Sequence, residues 1–272
     1  MLLSIQRPDS VQKAAALLAA PGARFLAGGT LLVRESNGGD VSIQSFVLPD
    51  RLGIDRIDIA GSKATIGAAI SMAKVAAHPQ LAFLKPVAES IGGPAIRNMA
   101  TVGGNLFAPY PYGDFAVALL ALGAEVTIEG ADRSETVDLE AFLQKRDRSK
   151  PALVTGISFA LPPADTFRFV KVIRRKPHGA SVLSIAVVLP MTGRKVSGAR
   201  IAYGAMAETP MRAHPVEQAL EDKTLDAAAI ATAIKVAAEG CKPWSDPQAS
   251  AWYRLNVLPV HLKRLLSGKE TA

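Results

Sequence analysis

Two short glycine-bearing stretches carry the residue types best suited to holding a ligand. The first is Phe25-Leu26-Ala27-Gly28-Gly29-Thr30-Leu31-Leu32, an apolar run followed by Gly-Gly-Thr and a helix-like segment. The second is Ala100-Thr101-Val102-Gly103-Gly104-Asn105-Leu106, which leads through Ala108-Pro109-Tyr110-Pro111-Tyr112-Gly113 to Asp114. Adjacent glycines bring bare backbone close to a ligand and permit positive φ values that other residues resist. Backbone N–H groups at such turns suit phosphate oxygens, and a helix N-terminus adds a favourable dipole. Thr101 and Asn105 place a hydroxyl and an amide beside that backbone, and Asp114 offers an acceptor for ribose or amino groups. Two such loops could grip the two halves of one long anionic ligand. Read structurally, each is a tight turn between strand and helix, with Asp114 as a helix cap. The first loop is neither the Gly-x-Gly-x-x-Gly of a nicotinamide site nor a P-loop, since no Gly-Lys-Ser/Thr follows. No nucleophile–base pair stands out by spacing, so no catalytic acid or base is expected.

The elements around these loops follow from local pattern. Asp9 or Ser10 can cap an alanine-rich helix from Val11 to Ala20, which Pro21-Gly22 ends. Ala23 to Ala27 reads as a strand entering the first loop, and Thr30 to about Ser36 as a short helix stopped by Asn37-Gly38-Gly39. Strands are expected at Ser42–Leu48, Ile54–Ile59 and Ala64–Ala68, and helices at Ile70–Ala77 and Ala82–Ile91. Ile96 to Met99 enters the second loop. The apolar run Phe115–Leu122 reads as a buried helix, and Glu125–Glu129 alternates as a half-exposed strand does. Val137–Leu143 reads as a small helix or turn, and Leu153–Phe159 as a strand. Pro162-Pro163-Ala164-Asp165 is the best candidate boundary. Beyond it, Phe167–Ile173, Ser181–Leu189 and Ala199–Ala205 read as an antiparallel sheet. Helices follow at Val216–Leu220 and Leu225–Ala238, then an amphipathic helix from Ala251 to Leu266 interrupted by Pro259. Strands followed by helices indicate an α+β fold.

Composition narrows the function. The chain has 272 residues, 49% hydrophobic and 20% charged, which fits a globular protein with one large or two ordinary domains. No apolar run reaches the about 18–20 residues that span a bilayer. The start, Met1-Leu-Leu-Ser-Ile-Gln-Arg7-Pro8, does not read as a secretory signal, so a cytoplasmic location is expected. The single cysteine, Cys241, cannot form an internal disulfide or hold an iron–sulfur cluster. The four histidines lack metal-ligand spacing, and no metal is expected on this chain. The net charge of +7 sits in separated groups, at 145–150, 174–176 and 263–264. Without a recognised reading module it argues against nucleic acid and suits an acidic cofactor or partner subunit.

In order and spacing these segments resemble the FAD-binding, or medium, subunit of the molybdenum hydroxylases, the xanthine dehydrogenase and carbon monoxide dehydrogenase flavoprotein type. Ala27-Gly28-Gly29-Thr30 matches that family's first flavin loop, and Thr101-Val-Gly-Gly-Asn105 with Asp114 its second. Ile66-Gly67-Ala68-Ala69 matches a strand end between them. Ala202–Ala205, Thr209–Ala213, Glu217–Leu220 and Ala249–Arg254 match the C-terminal part, so the resemblance covers nearly the whole chain. It implies a two-part FAD-binding domain of the vanillyl-alcohol-oxidase/PCMH type at 1–163, with subdomains at about 1–55 and 56–163. A C-terminal α+β domain follows at 164–272. It implies non-covalent FAD, with Gly28, Gly29 and Thr30 on the pyrophosphate, Leu26 and Ala27 supporting that loop, and Leu32 buried behind it. Thr101, Gly104 and Asn105 would lie along the pyrophosphate and flavin, Asp114 on the adenosine ribose, and Lys171 at the flavin edge or simply exposed on its strand.

The resemblance further implies a heterotrimer, or its dimer. A small partner would hold two [2Fe-2S] clusters and a large partner the molybdopterin. Electrons would leave through FAD to NAD, a quinone, a cytochrome or oxygen. Three features depart from the family: Leu31 stands where a polar residue is usual, His178-Gly179-Ala180-Ser181 replaces an Asp-plus-aromatic segment, and Tyr110-Pro111-Tyr112-Gly113 alters the usual spacing. The two tyrosines could stack on a ligand ring or pack on protein. Two other readings stay open at this level: a self-contained flavin oxidoreductase, and a scaffold subunit that binds flavin weakly.

Overall fold

The computed structural model describes residues 4–130, 132–146 and 152–269. The basic group at 145–150 and the start of the chain lie partly outside those residues. The first layer is a parallel sheet of three strands, β1 (Ser4–Gln6), β2 (Ala23–Phe25) and β3 (Ser45–Val47), in the order β1-β3-β2. Parallel neighbours need crossover connections, and helices supply them. Helix α1 (Val11–Leu18) runs from β1 to β2, and α2 (Leu32–Asn37) lies between β2 and β3. Ser10 caps α1 by accepting from the Lys13 N–H at 3.3 Å. Ala14, Ala15 and Val47 form its small core with Leu153. The pattern before α1 was too short to read, so β1 goes beyond the sequence expectation.

The second sheet is antiparallel, in the order β4-β5-β8-β6-β7. Its strands are β4 (Ile57–Ala60), β5 (Lys63–Gly67), β6 (Glu125–Glu129), β7 (Ser134–Asp138) and β8 (Leu153–Ala160). Between β5 and β6 the chain leaves the sheet for a run of helices: α3 (Met72–Ala77), a 3-10 turn (Pro79–Leu84), α4 (Lys85–Glu89), α5 (Pro94–Met99), α6 (Val102–Leu106) and α7 (Asp114–Ala121). Helix α8 (Leu139–Lys145) follows β7. Ile96–Met99, the approach to the second glycine stretch, is helical, because Pro94 at the first helical position presets φ. The expected helix over Ala82–Ile91 is a 3-10 turn running directly into α4, with Pro86 in the first turn of α4.

After Asp114, helix α7 is apolar all round, and every one of its residues is buried. A helix of that kind has to be enclosed on all sides. It packs on α4, α6 and α8 and on a third sheet, which has strand order β14-β13-β10-β9 and is antiparallel throughout. That third sheet comprises β9 (Phe167–Ile173), β10 (Ser181–Val188), β13 (Arg200–Gly204) and β14 (Met211–Arg212). A small hairpin, β11 (Met191–Thr192) with β12 (Lys195–Val196), projects beside it. Side chains alternate across the sheet. Phe169, Ala186, Val188 and Ala202 join the core around α7, while Val170, Ile185, Val187 and Ile201 join a second core. That second core lies under α9 (His214–Leu220), α10 (Ala227–Lys235) and α11 (Ala251–Leu266). Full burial of side chains such as Phe115 and Leu119 contributes about 1.5–3 kcal/mol each.

Pro259 does not interrupt α11, contrary to expectation. Leu258, Leu262, Leu265 and Leu266 are fully buried on one face, and that burial outweighs the about 3 kcal/mol that an internal proline costs.

Candidate cofactor site

The first glycine stretch makes an open cleft wall. Leu26 donates the last sheet bond, from its N–H to the Val47 carbonyl at 2.9 Å, and the chain then turns into α2. A Cβ on Gly28 would lie 1.8 Å from the Met99 carbonyl oxygen, so the turn sits directly against the end of α5. Gly29 has φ +68°, a conformation that favours glycine. Among the described residues, the backbone N–H groups of Ala27, Gly28, Gly29, Thr30 and Leu31 donate to nothing. Consecutive free donors at a helix start form an anion-binding concavity. Leu26 supports this turn from behind, its Cδ1 lying 3.1 Å from where a Gly29 Cβ would be. Leu32 departs from expectation: it is half-buried and lines the cleft itself.

The second glycine stretch is a helix, not a bare loop. Thr101 caps α6, its Oγ1 accepting from the Gly104 N–H at 3.1 Å. Gly103 donates its N–H to the Ala68 carbonyl at 2.8 Å, and a Cβ there would come within 2.7 Å of the Ala68 Cβ. These glycines let α6 lie flush against the end of β5, so their N–H groups are spent on protein. Asn105 Oδ1 accepts from the Ala116 N–H at 3.0 Å, which pins the start of α7 and leaves its Nδ2 as a donor for the cleft. Gly104 is exposed on the cleft lining.

Asp114 is the first residue of α7 and only 4% exposed; the cap is Gly113, with φ +106°. Both carboxylate oxygens have partners. Oδ1 accepts from the Ser181 hydroxyl at 2.6 Å, and Oδ2 pairs with Lys171 Nζ at 2.9 Å. Lys171 also donates to the Ser90 carbonyl at 3.0 Å, and its side chain is 10% exposed. It is therefore no exposed strand lysine. Asp114 and Lys171 thus face the same part of the cleft.

Tyr110 packs on protein. Its ring centroid lies 5.1 Å from that of Trp244, and its hydroxyl reaches the Ala205 and Trp244 carbonyls at 3.2 and 3.1 Å. Burial pushes its phenol above the ordinary value. Tyr112 remains 43% exposed on the cleft lining. Ile91, Ile96 and Phe107 also line the walls, residues that sequence reasoning did not single out, as do His178 and Gly179 of the segment that departs from the family. The contact of Ser181 with Asp114 was not foreseen; a serine opening an apolar strand was its faint signal.

The result is a cleft of about 350 Å³ lined by both glycine stretches, Asp114 and Lys171. A row of free backbone donors at one wall, apolar side chains beside it and a buried cation fit an aromatic dinucleotide with a pyrophosphate. Gly28 is fixed by the protein itself: even a methyl group there would push the turn away from α5.

Fold and site together define a flavoprotein of α+β architecture. A family model described as the FAD binding domain in molybdopterin dehydrogenase matches residues 2–162, and one described as the CO dehydrogenase flavoprotein C-terminal domain matches residues 168–268. The chain belongs to this family of molybdenum hydroxylase FAD subunits; it is an oxidoreductase flavoprotein subunit, and FAD is its cofactor. The 6-hydroxypseudooxynicotine dehydrogenase complex subunit alpha of Paenarthrobacter nicotinovorans is 30% identical over 270 residues, covering 95% of this chain and 91% of that one. The glyceraldehyde dehydrogenase medium chain of Sulfolobus acidocaldarius is 31% identical over 176 residues, a match spanning 63% of this chain and 62% of that one. A solved Cu,Mo-CO dehydrogenase superposes with a TM-score of 0.89 at 28% identity, covering 98% of each chain.

Proposed function

We propose that this chain is the electron-transfer subunit of a molybdenum hydroxylase complex. A small partner with [2Fe-2S] clusters delivers electrons, and a large partner with molybdopterin performs the hydroxylation. Bound in the cleft, FAD supplies one- and two-electron exchange between those clusters and an external acceptor such as NAD, a quinone, a cytochrome or oxygen. The chain's own residues bind and orient. Ala27 to Leu31 hold the pyrophosphate by backbone N–H groups, with Leu26 and Leu32 shaping the turn. Thr101, Gly104 and Asn105 border the same ligand, and Lys171 with Asp114 sets the charge of the opposite wall. In this reading residues 1–163 form the FAD-binding part, with subdomains at about 1–55 and 56–163, and 164–272 the C-terminal part. Among the described residues no helix is long and apolar enough to cross a membrane, and the complex is proposed to be cytoplasmic.

The row of free donors from Ala27 to Leu31 carries the reading. Its test is the visible spectrum of the purified protein, with the nucleotide identified after heat release. Stoichiometric FAD is expected, and Gly28→Ala should lower occupancy at least tenfold because the Met99 carbonyl leaves no space for its Cβ. A colourless chain that also takes up no added FAD overturns the assignment of the cleft.

A further inference from the structure

Lys171 and Asp114 form a buried ion pair on the cleft lining, and the pair does not stand alone. Ser181, 0% exposed, donates its hydroxyl to Asp114 Oδ1 at 2.6 Å. Ser181 opens β10 at a bulge, where pairing with β9 shifts between Ser181 and Leu183. A bulge withdraws backbone groups from the ladder and re-aims side chains. The carbonyls of Ser181 and Val182 accept instead from Nη1 of Arg254, a fully buried residue of α11. Arg254 is balanced by Asp246, whose Oδ2 lies 2.7 Å from Nη2. A polar chain thus runs from Asp246 through Arg254, Ser181 and Asp114 to Lys171 and the Ser90 carbonyl at the end of α4.

We propose that Ser181 is a positioning residue: held by Arg254 at the bulge, its hydroxyl fixes Asp114 against Lys171 and so sets the charge that the cleft presents to the flavin. This rests on the reading that FAD lies in the cleft with its ring near Lys171. Reduction makes the flavin ring more negative, so Lys171 favours the reduced form and Asp114 opposes it. The Ser181 hydroxyl offsets part of the Asp114 charge by donating to it. The arrangement predicts signs. Removing the hydroxyl leaves the carboxylate less offset and disfavours reduction. Removing the carboxylate charge does the reverse.

The test is the midpoint potential of bound FAD, measured by equilibration with reference dyes at saturating FAD in the purified protein. Expected are a fall in Ser181→Ala, recovery in Ser181→Thr, which keeps the donor, and a rise in Asp114→Asn. Ser184→Ala is the control: that serine is also buried on β10, but its Oγ has no hydrogen-bond partner, so its loss should leave the potential in place. A Ser181→Ala potential equal to the wild type, or an equal fall in Ser184→Ala, overturns the positioning role. Absence of FAD from the wild type instead overturns the reading of the cleft, and the two failures are told apart by the flavin absorbance recorded in the same samples.

Discussion

Gly28 has no room for a Cβ because the Met99 carbonyl oxygen would lie 1.8 Å away, and Gly103 has none because of the Ala68 Cβ at 2.7 Å. The two constraints serve different ends. At Gly28 the close approach sets a turn against α5 whose backbone donors stay unused among the described residues; at Gly103 it seats one helix on a strand end and the donor is used up. A side chain's surroundings decide its chemistry in the same way at Cys241. Burial pushes this thiol from 9.0 up to about 11, with Sγ 3.9 Å from the Ala237 carbonyl. The thiolate is the nucleophile, so at pH 8 alkylation should run about a hundredfold slower in the folded protein than in the unfolded chain. Between pH 9 and 11 the unfolded chain has released this proton while the folded one keeps it. Stability contributed by the buried thiol is therefore lost as pH rises through that window. Iodoacetamide kinetics in native and denaturing buffer check the first statement. Equal rates would show that the thiol is as accessible as in a peptide.

At the scale of elements, the short helix α6 has two tasks. Thr101 caps it and Asn105 reaches forward to hold the start of α7, yet both line the cleft. Thr101→Ala should cost about 1 kcal/mol through the lost cap, lowering Tm by about 2–4 °C. Asn105→Asp separates the tasks. It keeps an acceptor for the Ala116 N–H, so Tm should hold, while its charge beside an anionic ligand weakens FAD binding. Calorimetry with FAD titration reads both, and an unchanged FAD affinity in Asn105→Asp would remove that residue from the site.

The sequence revealed these stretches, but not their form. Long periodic or wholly apolar segments were legible: α7, the three main strands of the third sheet and α11 stand where their patterns put them. Short segments were not. Two glycines argue against a helix by propensity, and the Thr101 cap with packing on Ala68 makes α6 one. The three-residue β1 and two-residue β14 exist because a neighbouring strand offers an edge. The cleft-lining residues were legible where backbone chemistry demanded glycine. Ser181 and the Lys171–Asp114 contact were not, since they depend on a bulge and a helix that meet only in the folded chain.

Across the whole molecule, the core around α7 is shared between the two family segments, while the second core belongs to the C-terminal segment alone. Helix α7 belongs to the first segment in sequence but packs on β10 and β13 of the second. The cluster around it takes in Phe169, Ala186, Val188 and Ala202 from the third sheet. At Gly204 a Cβ would lie 2.8 Å from Val117 Cγ2, so the sheet approaches the helix as closely as backbone allows. Polar contacts cross the same boundary. Lys171 pairs with Asp114, and His214 lies 3.0 Å from Glu140 of α8 and 3.2 Å from Glu217 of α9. Glu217 in turn holds Arg212 at 2.7 Å and accepts from the Ile201 N–H at 2.7 Å. A domain that could fold alone would keep its own apolar face covered. Separating these two would expose α7 on one side and the inner face of β9, β10 and β13 on the other. The full chain should therefore unfold in one calorimetric transition with equal calorimetric and van't Hoff enthalpies. A fragment of residues 164–272 should be aggregation-prone or unfolded when expressed alone, because burial of its sheet against α7 is missing. Two resolved transitions, with a well-folded C-terminal fragment, would show that the interface is a contact between independent units, and that the charge balance at Lys171 and Asp114 depends on their docking.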